Sequence, residues 1–228
     1  MKQRALKCSN LILLIGAALC LVIYDIFGGL WLKGVTSSWF VILGAVNCDA
    51  ARHLDGKHLR FFVLMEAGLI CGMLADVLLG IIFLAGVGIF ALGHILYLVA
   101  FCTLEKTGMR DLWFSVPPLV ISVFMIVGTP WVHVDDPVMR TMLLGYAVII
   151  SLMLGKAVSN LVRCRSIYRW LLAVGSVMFW FSDLMLLIDM FGQASRIVWI
   201  LCSYMYWPAQ NILAHALYHG KKHFEDSI

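Results

Sequence analysis

The sequence has little charge. Only 13% of its 228 residues are Asp, Glu, Lys or Arg, about half the share of a water-soluble domain. With 62% apolar residues beside that scarcity, a soluble fold of this length could not hide its apolar surface from water. Disorder, coiled coil and collagen are excluded by the same composition. The formal net charge of +4 comes from dispersed Lys and Arg. There is no concentrated basic stripe of the kind nucleic acid requires. The seven cysteines, Cys8, Cys20, Cys48, Cys71, Cys102, Cys164 and Cys202, include no CxxC pair and lie mostly inside apolar runs. They read as small apolar residues, neither disulfides nor zinc ligands.

What is present is a series of long apolar runs. A helix needs roughly 20 apolar residues to cross a bilayer. Eight segments qualify, at about 9–30, 34–50, 59–80, 82–102, 112–129, 138–158, 168–191 and 197–218. The second ends in Asn47, Cys48 and Asp49 and is the shortest case. Pro117-Pro118 in the fifth should kink it or mark its start. Lys2, Arg4 and Lys7 followed by an apolar run resemble a signal peptide. The run is too long for one, and Leu19 is too large for the position before Cys20, so the segment reads as a retained first helix. Connections on alternate sides carry thirteen and three of the Lys and Arg, with Lys156 inside the sixth segment. That asymmetry predicts eight spans with both termini cytosolic. Trp31, Trp113, Trp131 and Trp199 near the span ends fit an interfacial belt. The expected fold class is therefore all-α: one polytopic domain over residues 1–228 in a bacterial inner membrane or an endoplasmic-reticulum-type membrane. Gly68 and Asp76 in the third segment are spaced as Gly175 and Asp183 in the seventh, each Asp following a small residue. This suggests a parallel repeat of two four-helix halves, about 1–110 and 111–228.

A charged side chain at bilayer depth costs at least ~2.5–3.5 kcal/mol and marks a candidate site. Asp76 and Asp183 stand out, each flanked by uncharged residues. If the halves pack face to face, two carboxyls share one cavity. Like charges held close leave one acid and one carboxylate, as acid–base chemistry requires. A proton- or cation-translocating pair, or structural hydrogen bonds, would use the same residues. His94 and Tyr97 share a helix face. His94 is read as orienting an aspartate, carrying a proton, or bonding a backbone carbonyl. Lys156 is expected to snorkel to lipid phosphates or to bind a substrate phosphate. Asp25, Asp49 and Asp189 fall near span ends. His215, His219 and His223 form a stripe, but no helix offers a complementary ligand, so no metal is expected. HExxH, GxSxG, P-loop and GxGD patterns are lacking; Met73-Leu74-Ala75 precede Asp76.

Several stretches resemble the YhhN family, which includes the lysoplasmalogenases. They are Ala75-Asp76-Val77-Leu78-Leu79, then Phe90-Ala91-Leu92-Gly93-His94-Ile95-Leu96-Tyr97, then Gly175 to Phe179 with Ser182-Asp183, and finally Tyr204 to Gln210, similar to a Tyr-Tyr-x-x-Gln pattern. They cover close to half the chain, in family order. Ala75 stands where the family usually has Gly. Val35-Thr36-Ser37-Ser38-Trp39 stands where it has a Lys-x-x-Pro-type motif, leaving Lys156 or Arg52 as substitute cations by charge alone. The resemblance implies hydrolysis of the vinyl ether bond of lysoplasmalogens, with Asp76 and Asp183 catalytic and His94, Tyr97, Lys156, Tyr204 and Gln210 binding or supporting the substrate. The implied partners are a lysophospholipid substrate and the surrounding lipids, with no cofactor. A transporter or lipid-binding protein that uses the aspartates as a relay is the alternative, and a catalytically silent subunit a third reading. The spans also raise a conflict of depth. They place the aspartates about 24 and 22 Å from the cytosolic helix ends but His94 and Gln210 only about 12 Å.

Overall fold

The computed structural model describes residues 2–226. Among them are eight helices and no strands: α1 (Lys2–Phe27), α2 (Leu30–Ala50), α3 (Gly56–Leu79), α4 (Phe83–Leu104), α5 (Met109–Val127), α6 (Pro137–Arg163), α7 (Ile167–Phe191) and α8 (Arg196–Glu225). Each expected segment is one helix, including the short second. Six of them, α1 and α3 to α7, are long and apolar enough to cross a membrane. The other two, α2 and α8, are diluted by polar residues, of which Ser37, Asn47, Gln210 and Asn211 prove to be buried. The main differences from the sequence reading lie at the ends. α1 starts earlier and α8 ends later, because polar turns continue the helix: Lys221 pairs with Glu225 one turn on, at 2.6 Å. Pro117 and Pro118 lie inside α5 and do not mark its start.

The chain runs up and down. α2, α3, α4, α6, α7 and α8 pack in a closed ring, in that order. α1 lies outside on α2 and α8, and α5 outside on α6 and α7. Both peripheral helices present large apolar side chains outward, among them Leu11, Ile12 and Leu19 on α1 and Val120, Phe124 and Val127 on α5. Such a surface suits lipid and not water. Close packing needs small residues where helices cross. A Cβ on Gly68 of α3 would run into the Tyr97 ring of α4, and one on Gly175 of α7 would sit 2.9 Å from Leu213 of α8. Polar ties complete the assembly. Asn10 and Asn47 exchange side-chain hydrogen bonds at 2.9 and 3.0 Å, and Asn47 also donates to the Ala214 carbonyl at 3.2 Å, joining α1, α2 and α8.

Candidate active site

One cavity of about 200 Å³ near the bundle end opposite the termini is lined by both Asp76 and Asp183. Lys33, Tyr206, Ser203 and Asp189 share its wall. An adjoining apolar lobe of about 60 Å³ also touches Asp183. Phe90 lines both.

Asp76 sits one turn before the end of α3 and is 2% exposed. Its Oδ2 accepts from Ser37 Oγ at 2.5 Å and from the Tyr206 hydroxyl at 2.7 Å, while Lys33 Nζ lies 3.8 Å from Oδ1. Lys33 and Ser37 are four apart on α2, so one face presents both. Trp207 Nε1 donates to Ser37 Oγ at 3.0 Å, and Tyr97 OH donates to Gln210 Oε1 at 2.7 Å, one turn from Tyr206. Gly72 lets this group approach, since a Cβ there would run into the Gln210 amide nitrogen.

Asp183 on α7 has different neighbours. Its Oδ2 accepts from Tyr146 OH at 2.5 Å and lies 3.5 Å from His94 Nε2. His94 Nε2 is 2.8 Å from the Tyr146 oxygen. A phenol has one proton. Given to Asp183, it leaves Nε2–H of His94 as the donor to Tyr146. His94 Nδ1 faces only the Met153 sulfur at 3.4 Å. Phe179 separates the two partner sets, with its ring 4.5 Å from His94 and 5.2 Å from Tyr206 between centroids. Edge-to-face aromatic contacts of this kind fix ring orientation.

The conflict of depth disappears because α4 stops short. Lys156 Nζ donates to the Glu105 and Lys106 carbonyls just past the end of α4, at 2.9 and 3.1 Å. His94 is ten residues from the end of α4, and Tyr146 is ten residues from Lys156. Both therefore lie about 15 Å from that clamp and meet at one height. α6 continues about 10 Å further. Gln210 reaches Asp76 only through Tyr206, so the polar groups form two connected files and not one cluster.

Not every expected residue is here. Lys156 is 1% exposed and turned inward, bonded to Asp111 Oδ2 at 3.0 Å. It reaches neither lipid phosphates nor the cavity, because the α4–α5 turn folds over it. Tyr204 points to Asp25 Oδ2 at 3.3 Å, and Asp25 also pairs with Arg196; the cavity tyrosine is Tyr206. Arg52 pairs with Asp49 at 3.0 Å at the end that holds the termini. Lys33, Ser37, Tyr146 and Tyr206 were not singled out by the sequence, although the spacings Lys33/Ser37 and Tyr206/Gln210 would have marked two polar helix faces. Glu66, unplaced by the sequence, has a buried Oε2 without a hydrogen-bond partner among the described residues.

An all-helical chain with six apolar helices of membrane-crossing length is a multi-pass membrane protein, and this one holds two carboxyl groups on one interior cavity. The YhhN family profile matches residues 3–217, and the chain belongs to the YhhN family. No curated protein and no solved structure matches it.

Proposed function

We propose that the protein is an intramembrane hydrolase that cleaves the vinyl ether bond of lysoplasmalogens to a fatty aldehyde and a glycerophospho-alcohol. The observation that carries this reading is the pair Asp76 and Asp183 on one cavity wall with unlike partners. Asp76, buried in the wall, meets two hydroxyl donors and the Lys33 ammonium. Asp183 meets one hydroxyl, His94 Nε2 at 3.5 Å and the apolar lobe, and no Lys or Arg lies within ion-pair distance among the described residues. In this reading Asp183 is the acid. It gives its proton to the vinyl carbon away from oxygen, which leaves an oxocarbenium ion. The Asp76 carboxylate stabilises that cation and draws the proton from an attacking water, as paired carboxyls do in glycoside hydrolysis. The hemiacetal then collapses, expelling the glycerol oxygen as an alcohol.

Lys33 supplies the cation the sequence reading found missing. It stands early in α2, where an ammonium can meet the substrate phosphate. We further propose that all eight helices span the membrane with both termini cytosolic, as the charge asymmetry implies. The cavity then lies near the opposite face, and the head group approaches from there. The repeat of two halves is also proposed. Its support is that α2–α3–α4 and α6–α7–α8 pack in the same order around the ring, each placing a glycine eight residues before an aspartate.

The relay reading has one observation of its own, the file Tyr97–Gln210–Tyr206–Asp76 leading away from the cavity. An amide nitrogen has no free lone pair to accept and pass a proton, so this file orients Tyr206 better than it conducts. The test of the hydrolase reading is release of aldehyde from a lysoplasmalogen by the purified protein. No release, with proton uptake into vesicles instead, would favour the relay.

A further inference from the structure

The apolar lobe beside Asp183 lies between α4, α5, α6 and α7. Apart from the Asp183 carboxyl, whose Oδ2 alone is bonded, its polar side chains are already engaged. Tyr146 is held by Asp183 and His94, and Trp180 Nε1 donates to Ser122 Oγ at 2.9 Å. The remaining wall includes Val87, Ile126, Leu143, Ala147, Ile150 and Leu187. With that carboxyl as its single open polar group, the lobe offers a water no second partner and suits hydrocarbon. Its volume of about 60 Å³ is under half the roughly 150 Å³ that takes up benzene. Only a few carbons fit.

We infer that this lobe seats the first carbons of the substrate's hydrocarbon chain, those next to the bond that reacts at Asp183, and that the rest of the chain leaves beside the peripheral helix α5 into the bilayer. The identity of the reacting bond rests on the proposed hydrolase function; the position of the chain does not. The larger lobe, with Lys33 and Asp76, is left for the polar end. Selectivity then falls on branching close to the reacting bond, and total chain length matters little.

The test uses full-length protein in detergent micelles and an alkyl-ether lysophospholipid, which resists this hydrolysis. One version carries bromines near the ether and another carries them at the chain end. Bromine quenches indole fluorescence on contact, and Trp180 is one of eight tryptophans. The near-ether version should give saturable quenching that is largely lost in Trp180→Phe. The chain-end version should leave the Trp180 component unquenched. Ala147→Phe, which fills the lobe, should weaken binding about tenfold. Leu143→Ala, which widens it, should improve binding of a chain with a methyl branch close to the ether. Should Ala147→Phe fail to fold, the Leu143 variant and the quenching decide. Quenching that survives Trp180→Phe, or no saturable quenching at all, overturns the inference. Cleavage of a vinyl ether without Trp180 quenching defeats this inference alone, whereas Trp180 quenching without cleavage defeats the hydrolase reading alone.

Discussion

The Tyr206 hydroxyl on α8 donates to Oδ2 of Asp76 on α3 at 2.7 Å, across 130 residues of sequence. Together with Ser37 on α2 it ties three helices to one carboxylate. Tyr204, two residues earlier, turns away to Asp25. The two tyrosines should therefore differ. Tyr206→Phe keeps the ring that packs against Phe179 and Phe90 and removes only the donor. It should lower kcat about 10–100-fold, the effect of losing one charge-assisted hydrogen bond at a reacting group. Tyr204→Phe should leave kcat within about twofold, because it loses only a long bond to Asp25, which does not line the cavity. Steady-state aldehyde release separates the two.

Lys33 is expected to act on the substrate's phosphate as well as on Asp76. Lys33→Met should raise KM about tenfold, with Lys33→Arg recovering most of it. A substrate whose head group lacks phosphate should show no difference between wild type and Lys33→Met in KM. A KM difference as large for that substrate would assign Lys33 to Asp76 alone.

Lys156 is a structural cation. Its ammonium clamps the α4–α5 turn through Glu105, Lys106 and Asp111, and Arg163 shares Asp111 at 3.0 Å. Lys156→Met leaves the buried Asp111 carboxylate with Arg163 and the Gly108 amide as its partners. It should cost about 3 kcal/mol of stability, the lower end for breaking a buried pair, because Arg163 remains. Thermal unfolding in detergent measures this, while activity per folded molecule should stay near the wild-type value.

These three residues also show what the sequence made legible. The helices were readable because each is a long apolar run between polar turns. Asp76 and Asp183 stood out because an isolated carboxyl in such a run is costly unless it has a partner or a cavity. Lys33 was not, because a lysine at the start of a span looks like any interfacial charge. Tyr146 and Tyr206 were not, because an aromatic ring inside an apolar run reads as packing, and their hydroxyls acquire meaning only when α6 meets α7 and α8 meets α3. Lys156 misled for the opposite reason: nothing local shows that the next turn folds back over it.

Glu225, beyond the apolar part of α8, accepts from Lys221 at 2.6 Å and from His53 of the α2–α3 turn at 2.7 Å. Partial burial pushes its carboxyl up, but these partners outweigh burial and hold it below the usual carboxylate range. A lowered folded value means that the clamp is fully present above the unfolded carboxylate pKa of about 4.3 and is lost as pH falls through the lowered value. Hydrogen exchange in residues 51–55 should thus be unchanged from neutral pH down to about 5, apart from the intrinsic rate, and should accelerate below about 4. Glu225→Gln should show the faster exchange already at neutral pH. An identical pH response in wild type and variant would remove Glu225 from this role.

The central claim is that two carboxyls on one interior wall protonate and hydrate a vinyl ether. It is tested most directly by incubating purified wild type, Asp76→Asn and Asp183→Asn with a lysoplasmalogen in heavy water and analysing the aldehyde by mass. Wild type should release aldehyde carrying one deuterium on the carbon beside the carbonyl, and each variant should be slower by about 10²–10⁴-fold while still folded. Aldehyde without that deuterium, or full activity in either variant, would contradict the account.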